Sequence, residues 1–130
     1  MTVSTMLSLL AQGFVTSLLI FALTLLGSLP LGLAVMFGRR SRFTPLRGLI
    51  KAYISIMRGT PLMLQLMVVF YGPKLLLGVT VPGNWRFTAV IVAFVINYAA
   101  YFAEIYRGGL ESIPRGQYEA AQVLGYTKAQ

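Results

Sequence analysis

Hydrophobic positions fall into three long runs, separated by stretches that are basic or rich in turn-forming residues. No charged residue precedes Arg39, and the most apolar part of that opening stretch is Gly13 to Phe37. A membrane-crossing helix needs about 20 apolar residues at about 1.5 Å rise each. The first run therefore predicts a span over about 14–37, with room for tilt. It does not read as a signal peptide, because no Lys or Arg precedes it and it exceeds the length of an h-region. Pro30 interrupts the backbone hydrogen bonding of this helix. Ser28 and Gly32, four residues apart, suit close helix contact, and simple tolerance of a kink explains them equally well.

The stretch Gly38 to Lys51 is basic and holds Pro45, which predicts a cytoplasmic loop. A second span is expected over about 53–77. Arg58, Gly59, Thr60 and Pro61 lie near its start, where Arg58 can snorkel to the interface. Whether Tyr53 to Met57 lies along the membrane surface or forms the first turns of the span is open at this level. Gly78 to Trp85 is a cluster of turn residues ending in an interfacial tryptophan. A third span follows over about 87–106.

Within that third run Ala93, Asn97, Ala100 and Glu104 share one helix face, and Tyr101 lies beside them. Small and polar groups are costly against lipid, so this face turns toward protein or a water-filled path. Two readings stand together: a translocation-pathway face, or an ordinary helix contact. Gln65 in the second run carries the same pair of readings. Glu104 is the only acid near a span, and its expected partner is Arg58 or Arg107.

Charge then orients the chain. Of 130 residues, 57% are hydrophobic and 11% charged, against about 25% charged in soluble domains. The net charge of +8 does not mark a nucleic-acid binder, because the basic residues cluster at alternate ends of the apolar runs. Arg39, Arg40, Arg42, Arg47, Lys51, Arg58, Arg107, Arg115 and Lys128 fall on one side and only Lys74 and Arg86 on the other. The N-terminus is expected outside and the segment 111–130 in the cytoplasm. With no Cys and no His, the chain lacks disulfides, thiol nucleophiles, the common zinc sites and a histidine base. Its three acids, Glu104, Glu111 and Glu119, are dispersed, and neither a phosphate-binding G-x-x-x-x-G-K-[ST] loop nor a G-x-S-x-G elbow occurs. No enzymatic activity and no cofactor are expected.

Beyond the third span, Pro114 and Gly116 punctuate the chain, and Gln117 to Leu124 reads as a short helix ended by Gly125. Here Glu119, Ala120, Ala121 and Gly125 resemble the EAA loop of ABC importer permeases. The stretch Asn97 to Leu110, Ile113-Pro114-Arg115-Gly116-Gln117, and Arg58-Gly59-Thr60-Pro61 with Gln65 resemble the polar amino acid (His/Glu/Gln/Arg/opine) branch. The resemblance covers roughly residues 14 to 130.

It implies an all-α integral membrane fold: three transmembrane helices plus a cytoplasmic coupling-helix segment, the N-terminal part of a five-span permease. Residues 1–130 form one transmembrane domain on this reading. The implied function is a permease subunit of an ATP-driven importer for polar amino acids in a bacterial inner membrane. The implied partners are ABC ATPase subunits, a second permease subunit and an extracytoplasmic solute-binding protein. ATP hydrolysis belongs to the ATPase, which the EAA segment contacts through Glu119, Ala120, Ala121 and Gly125. The family pattern continues past the EAA loop into two more spans, so a C-terminally truncated form is expected. The alternatives are a three-span assembly or regulatory protein, or a permease fragment without transport activity.

Overall fold

The computed structural model describes residues 2–130, and among them the regular structure is entirely helical. Helix α1 spans Val3–Arg39, α2 Thr44–Gly59, α3 Leu62–Leu77, α4 Trp85–Glu111 and α5 Arg115–Val123. By length and composition α1 and α4 can each cross a membrane, and α2 with α3 forms a third, broken candidate. At 37 residues α1 is about 55 Å long, well beyond the roughly 30 Å of hydrocarbon it would cross. It begins ten residues before the apolar core of the run because the Thr2 hydroxyl accepts from the Thr5 N–H at 3.3 Å and caps the first turn.

Helices α1 and α4 make the most extensive contact in the molecule. Thr24, Ser28, Gly32 and Met36 recur every four residues and form the buried stripe of α1. On α4 the residues facing this stripe are Val95, Ala99, Phe102 and Ala103. Gly27 faces Val95, Gly32 faces Phe102 and Ala103, and Arg39 reaches Glu104. The contacts advance together, so α1 and α4 run parallel and their C-terminal ends lie on the same side. A Cβ on Gly32 would stand 2.8 Å from the Phe102 Cβ and 3.1 Å from the Ala99 carbonyl oxygen. Glycine therefore permits this approach of backbone to backbone.

The basic stretch expected as a loop is corrected by the structure: Thr44 to Lys51 is helical and continues into Gly59. Pro45 sits in the first turn, where its missing N–H costs nothing. Ile50, Tyr53, Ile54 and Met57, at i, i+3, i+4 and i+7, pack on Met36, Ala100 and Ala103. Arg47 and Lys51 remain exposed. The Tyr53 hydroxyl donates to the Ile96 carbonyl and pins α2 across α4.

The expected span 53–77 is likewise not one helix. The axes of α2 and α3 meet at 110° across Thr60-Pro61, both in extended backbone. A residue before proline is pushed out of the helical region, which fixes the break. Tyr53 to Met57 therefore belongs to a helix separate from α3. At 16 residues α3 is about 24 Å long, short for a complete crossing. The Trp85 indole N–H donates to the Phe70 carbonyl at 3.0 Å and ties the start of α4 to α3, which returns beside it.

Candidate functional site: a charged knot and an exposed terminal helix

The predicted residues fall into two groups. The first surrounds Glu104, on the inward face of α4. Its side chain is 14% exposed and takes three guanidinium groups. Arg107 approaches at 2.6 Å, Arg39 at 3.3 Å and Arg58 at 3.8 Å. Arg107 also holds Glu111 at 2.9 Å. The knot thus joins α1, α2 and α4 at one level. Both predicted partners of Glu104 are present. Arg39 was not anticipated, although it is the first charge of the chain and ends a helix parallel to α4. Equal depth for Arg39 and Glu104 follows once that direction is known.

Tyr101 lies next to the knot, with the Arg58 guanidinium 5.7 Å from its ring centre. Ala93, Asn97 and Ala100 are buried within the chain, at 2%, 4% and 0% exposure. That face meets protein, and the other side of α4 packs through Val95 and Phe102 against α1. Gln65 sits elsewhere. Its amide N–H group reaches the Met57 carbonyl at 3.1 Å, the Thr60 carbonyl at 3.3 Å and the Thr60 hydroxyl at 2.7 Å. Gln65 therefore clasps the 110° break and satisfies carbonyls that the end of α2 leaves free. Arg58 and Gly59 end α2, and Thr60 and Pro61 form the break.

The second group is α5. Arg115 and Glu119 are four residues apart and 3.6 Å from each other, both well exposed. Ala120 and Gly125 are exposed and Ala121 is half-buried. Gly125 adopts φ +79°, which a side chain would strain. The Tyr126 N–H bonds the Ala121 carbonyl at 3.0 Å and the Gly125 N–H bonds the Gln122 carbonyl at 3.1 Å. This is the Schellman arrangement, and it stops the helix cleanly. No sustained contact joins α5 to another helix. Tyr118, Val123 and Leu124 stay exposed around the small residues.

A family model described as "Binding-protein-dependent transport system inner membrane component" matches residues 28–130. The chain belongs to this family. Among the proteins it is similar to, the arginine transport system permease protein ArtQ of Bacillus subtilis (strain 168) is 40% identical over 114 residues. That match covers 88% of this chain and 51% of the relative. A probable glutamine ABC transporter permease protein of the same organism, GlnM, is 38% identical over 124 residues, covering 95% of this chain and 55% of the relative. The chain thus spans about half the length of these permeases. A solved structure, described as an amino acid ABC transporter with histidines, matches with a TM-score of 0.82 and 34% identity. It covers 99% of this chain and 61% of that one. The all-helical permease fold and the membrane setting are therefore those of amino acid ABC permeases.

Proposed function

We propose that the chain serves as the membrane-spanning permease part of an ATP-driven importer for polar amino acids, and that α5 is its coupling helix. The observation that carries this reading is the state of α5. It is a capped, formed helix whose small residues and Glu119 lie open, with no partner within the chain. Such a surface suits a cleft of another subunit. Ala120 allows close approach, Glu119 offers a charge to a basic partner, and Tyr118 and Val123 supply apolar area. The relatives named as arginine and glutamine permeases support the substrate class.

The direction follows from charge. The parallel C-terminal ends of α1 and α4 carry Arg39, Arg40, Arg42 and Arg107, which favours the cytoplasmic side of a bacterial inner membrane for these ends and for α5. The ATPase would then dock beneath, with a second permease subunit alongside and a solute-binding protein outside. Hydrolysis resides in the ATPase. ATP on one face and loaded binding protein on the other bias a two-state membrane domain. The knot around Glu104 links α1, α2 and α4 into one body that moves with such a switch.

Co-purification of the 130-residue chain with its cognate ATPase, wild type against Glu119→Lys, tests this reading. The wild type is expected to bind. Charge reversal at the centre of a contact is expected to weaken binding roughly thirtyfold or more. Equal binding by both, or binding by neither, contradicts it.

A further inference from the structure

Beside the knot lies a cavity of about 490 Å³ lined by Arg39, Lys51, Ser55, Arg58, Tyr101 and Glu104, among others. That volume falls in the range of about 300–1,000 Å³ typical of small-molecule sites. Three of these residues are cations and one is an acid. Glu104 is already shared among Arg39, Arg58 and Arg107, and Arg107 is shared with Glu111. Counting the whole cluster, Arg39, Lys51, Arg58 and Arg107 face two carboxylates, so two positive charges remain uncompensated. Lys51 has no ion pair among the described residues and its side chain is exposed.

We infer that this cavity binds a phosphate-bearing anion, presented by the headgroup of an anionic phospholipid. Arginine guanidinium groups match phosphate oxygens in a fork geometry, and a lysine adds a mobile point charge. Ser55 and Tyr101 supply hydroxyls for the remaining oxygens. The position favours a lipid as the source. The cavity lies between helices at the C-terminal ends of α1 and α4, where a span leaves the hydrocarbon. Basic pockets between membrane helices at this level suit anionic headgroups. A bound headgroup would hold α2 against α1 and α4 by neutralising charges that otherwise repel. The inference goes beyond the transport reading and does not depend on it.

Native mass spectrometry of the detergent-purified chain tests it, with phosphatidylglycerol, phosphatidylcholine or inorganic phosphate added in separate titrations. Phosphatidylglycerol is expected to bind in preference to both. A basic side chain near an anionic surface is worth about fivefold in binding, so Lys51→Gln is expected to weaken phosphatidylglycerol by that factor. Arg47→Gln removes the same charge from the same helix outside the cavity and is expected to leave binding unchanged. Ser55→Leu fills the cavity without changing charge and is expected to reduce binding too. Equal losses for Lys51→Gln and Arg47→Gln would mean diffuse surface attraction and overturn the site. Equal binding of phosphatidylcholine, or an unaffected Ser55→Leu, overturns it as well. Binding of inorganic phosphate as tight as that of the lipid would overturn the lipid source.

Discussion

Alanine-rich segments occur at two places in this chain and meet opposite surroundings. In α4, Ala99, Ala100 and Ala103 are fully buried, and α1 and α2 lie against them. In α5, Ala120 is exposed, Ala121 is half-buried, and no neighbouring helix covers them. The same side chain has a settled contact in one segment and an open one in the other. Small residues lower the distance at which helices can meet, but they do not supply the partner. In α4 the partner is within the chain. In α5 no helix among the described residues covers them, and on the proposed reading the ATPase does so, so the two segments are expected to respond differently to substitution.

Gly32→Leu is expected to have the largest effect on folding. Its side chain would enter space held by the Phe102 Cβ and the Ala99 backbone, neither of which can step aside cheaply. Overpacking of this kind costs about 1–3 kcal/mol, read as a lower thermal midpoint in detergent and loss of an engineered crosslink between α1 and α4. Ala120→Leu on α5 adds a similar volume where nothing packs, and is expected to leave that midpoint unchanged.

Glu104→Gln follows. It removes the one carboxylate that holds Arg39, Arg58 and Arg107 together. The cost is expected at about 1–2 kcal/mol, since these guanidinium groups retain contact with water. A midpoint equal to wild type would mean that the knot adds nothing to the packing of α1, α2 and α4.

Among the two glutamate substitutions the smaller effect on stability belongs to Glu119→Gln. Its pair with Arg115 is exposed on both sides and 3.6 Å long, so its removal is expected to change stability by less than about 0.5 kcal/mol. The contrast with Glu104 sharpens the comparison: one glutamate holds helices of this chain, while the other is free for a partner. A stability loss for Glu119→Gln equal to that for Glu104→Gln would erase the distinction.

Much of this was legible in the sequence where a single rule governs. The uninterrupted apolar runs of α1 and α4, and the Gly125 stop of α5, carry their own local signals, whereas α5 starts at Arg115, ahead of the expected Gln117, because its first turn accommodates Gly116. The nature of α2 was obscured because its polar face holds Arg47 and Lys51, which look like loop charges beside Pro45. Its apolar spacing from Ile50 to Met57 crosses the boundary between the basic stretch and the next run, so neither half displays a full period. Arg39 as a partner of Glu104 depends on the parallel packing of two helices far apart in the chain. Gln65 resembled a pathway residue because a polar group in an apolar run gives the same signal whether it lines a channel or closes a broken helix. Its actual bonds depend on the 110° turn, which residue types alone do not specify.

The central claim is that α5 lies on the cytoplasmic side as an open surface for the ATPase. The chain contains no cysteine, so Ala120→Cys places a single reactive thiol on that surface. Labelling with a membrane-impermeant maleimide, in right-side-out and inverted vesicles, tests the claim most directly. The account predicts labelling in inverted vesicles only, and protection when the ATPase subunit is added. Labelling from the outer face, or a thiol that the ATPase leaves fully reactive, would contradict it.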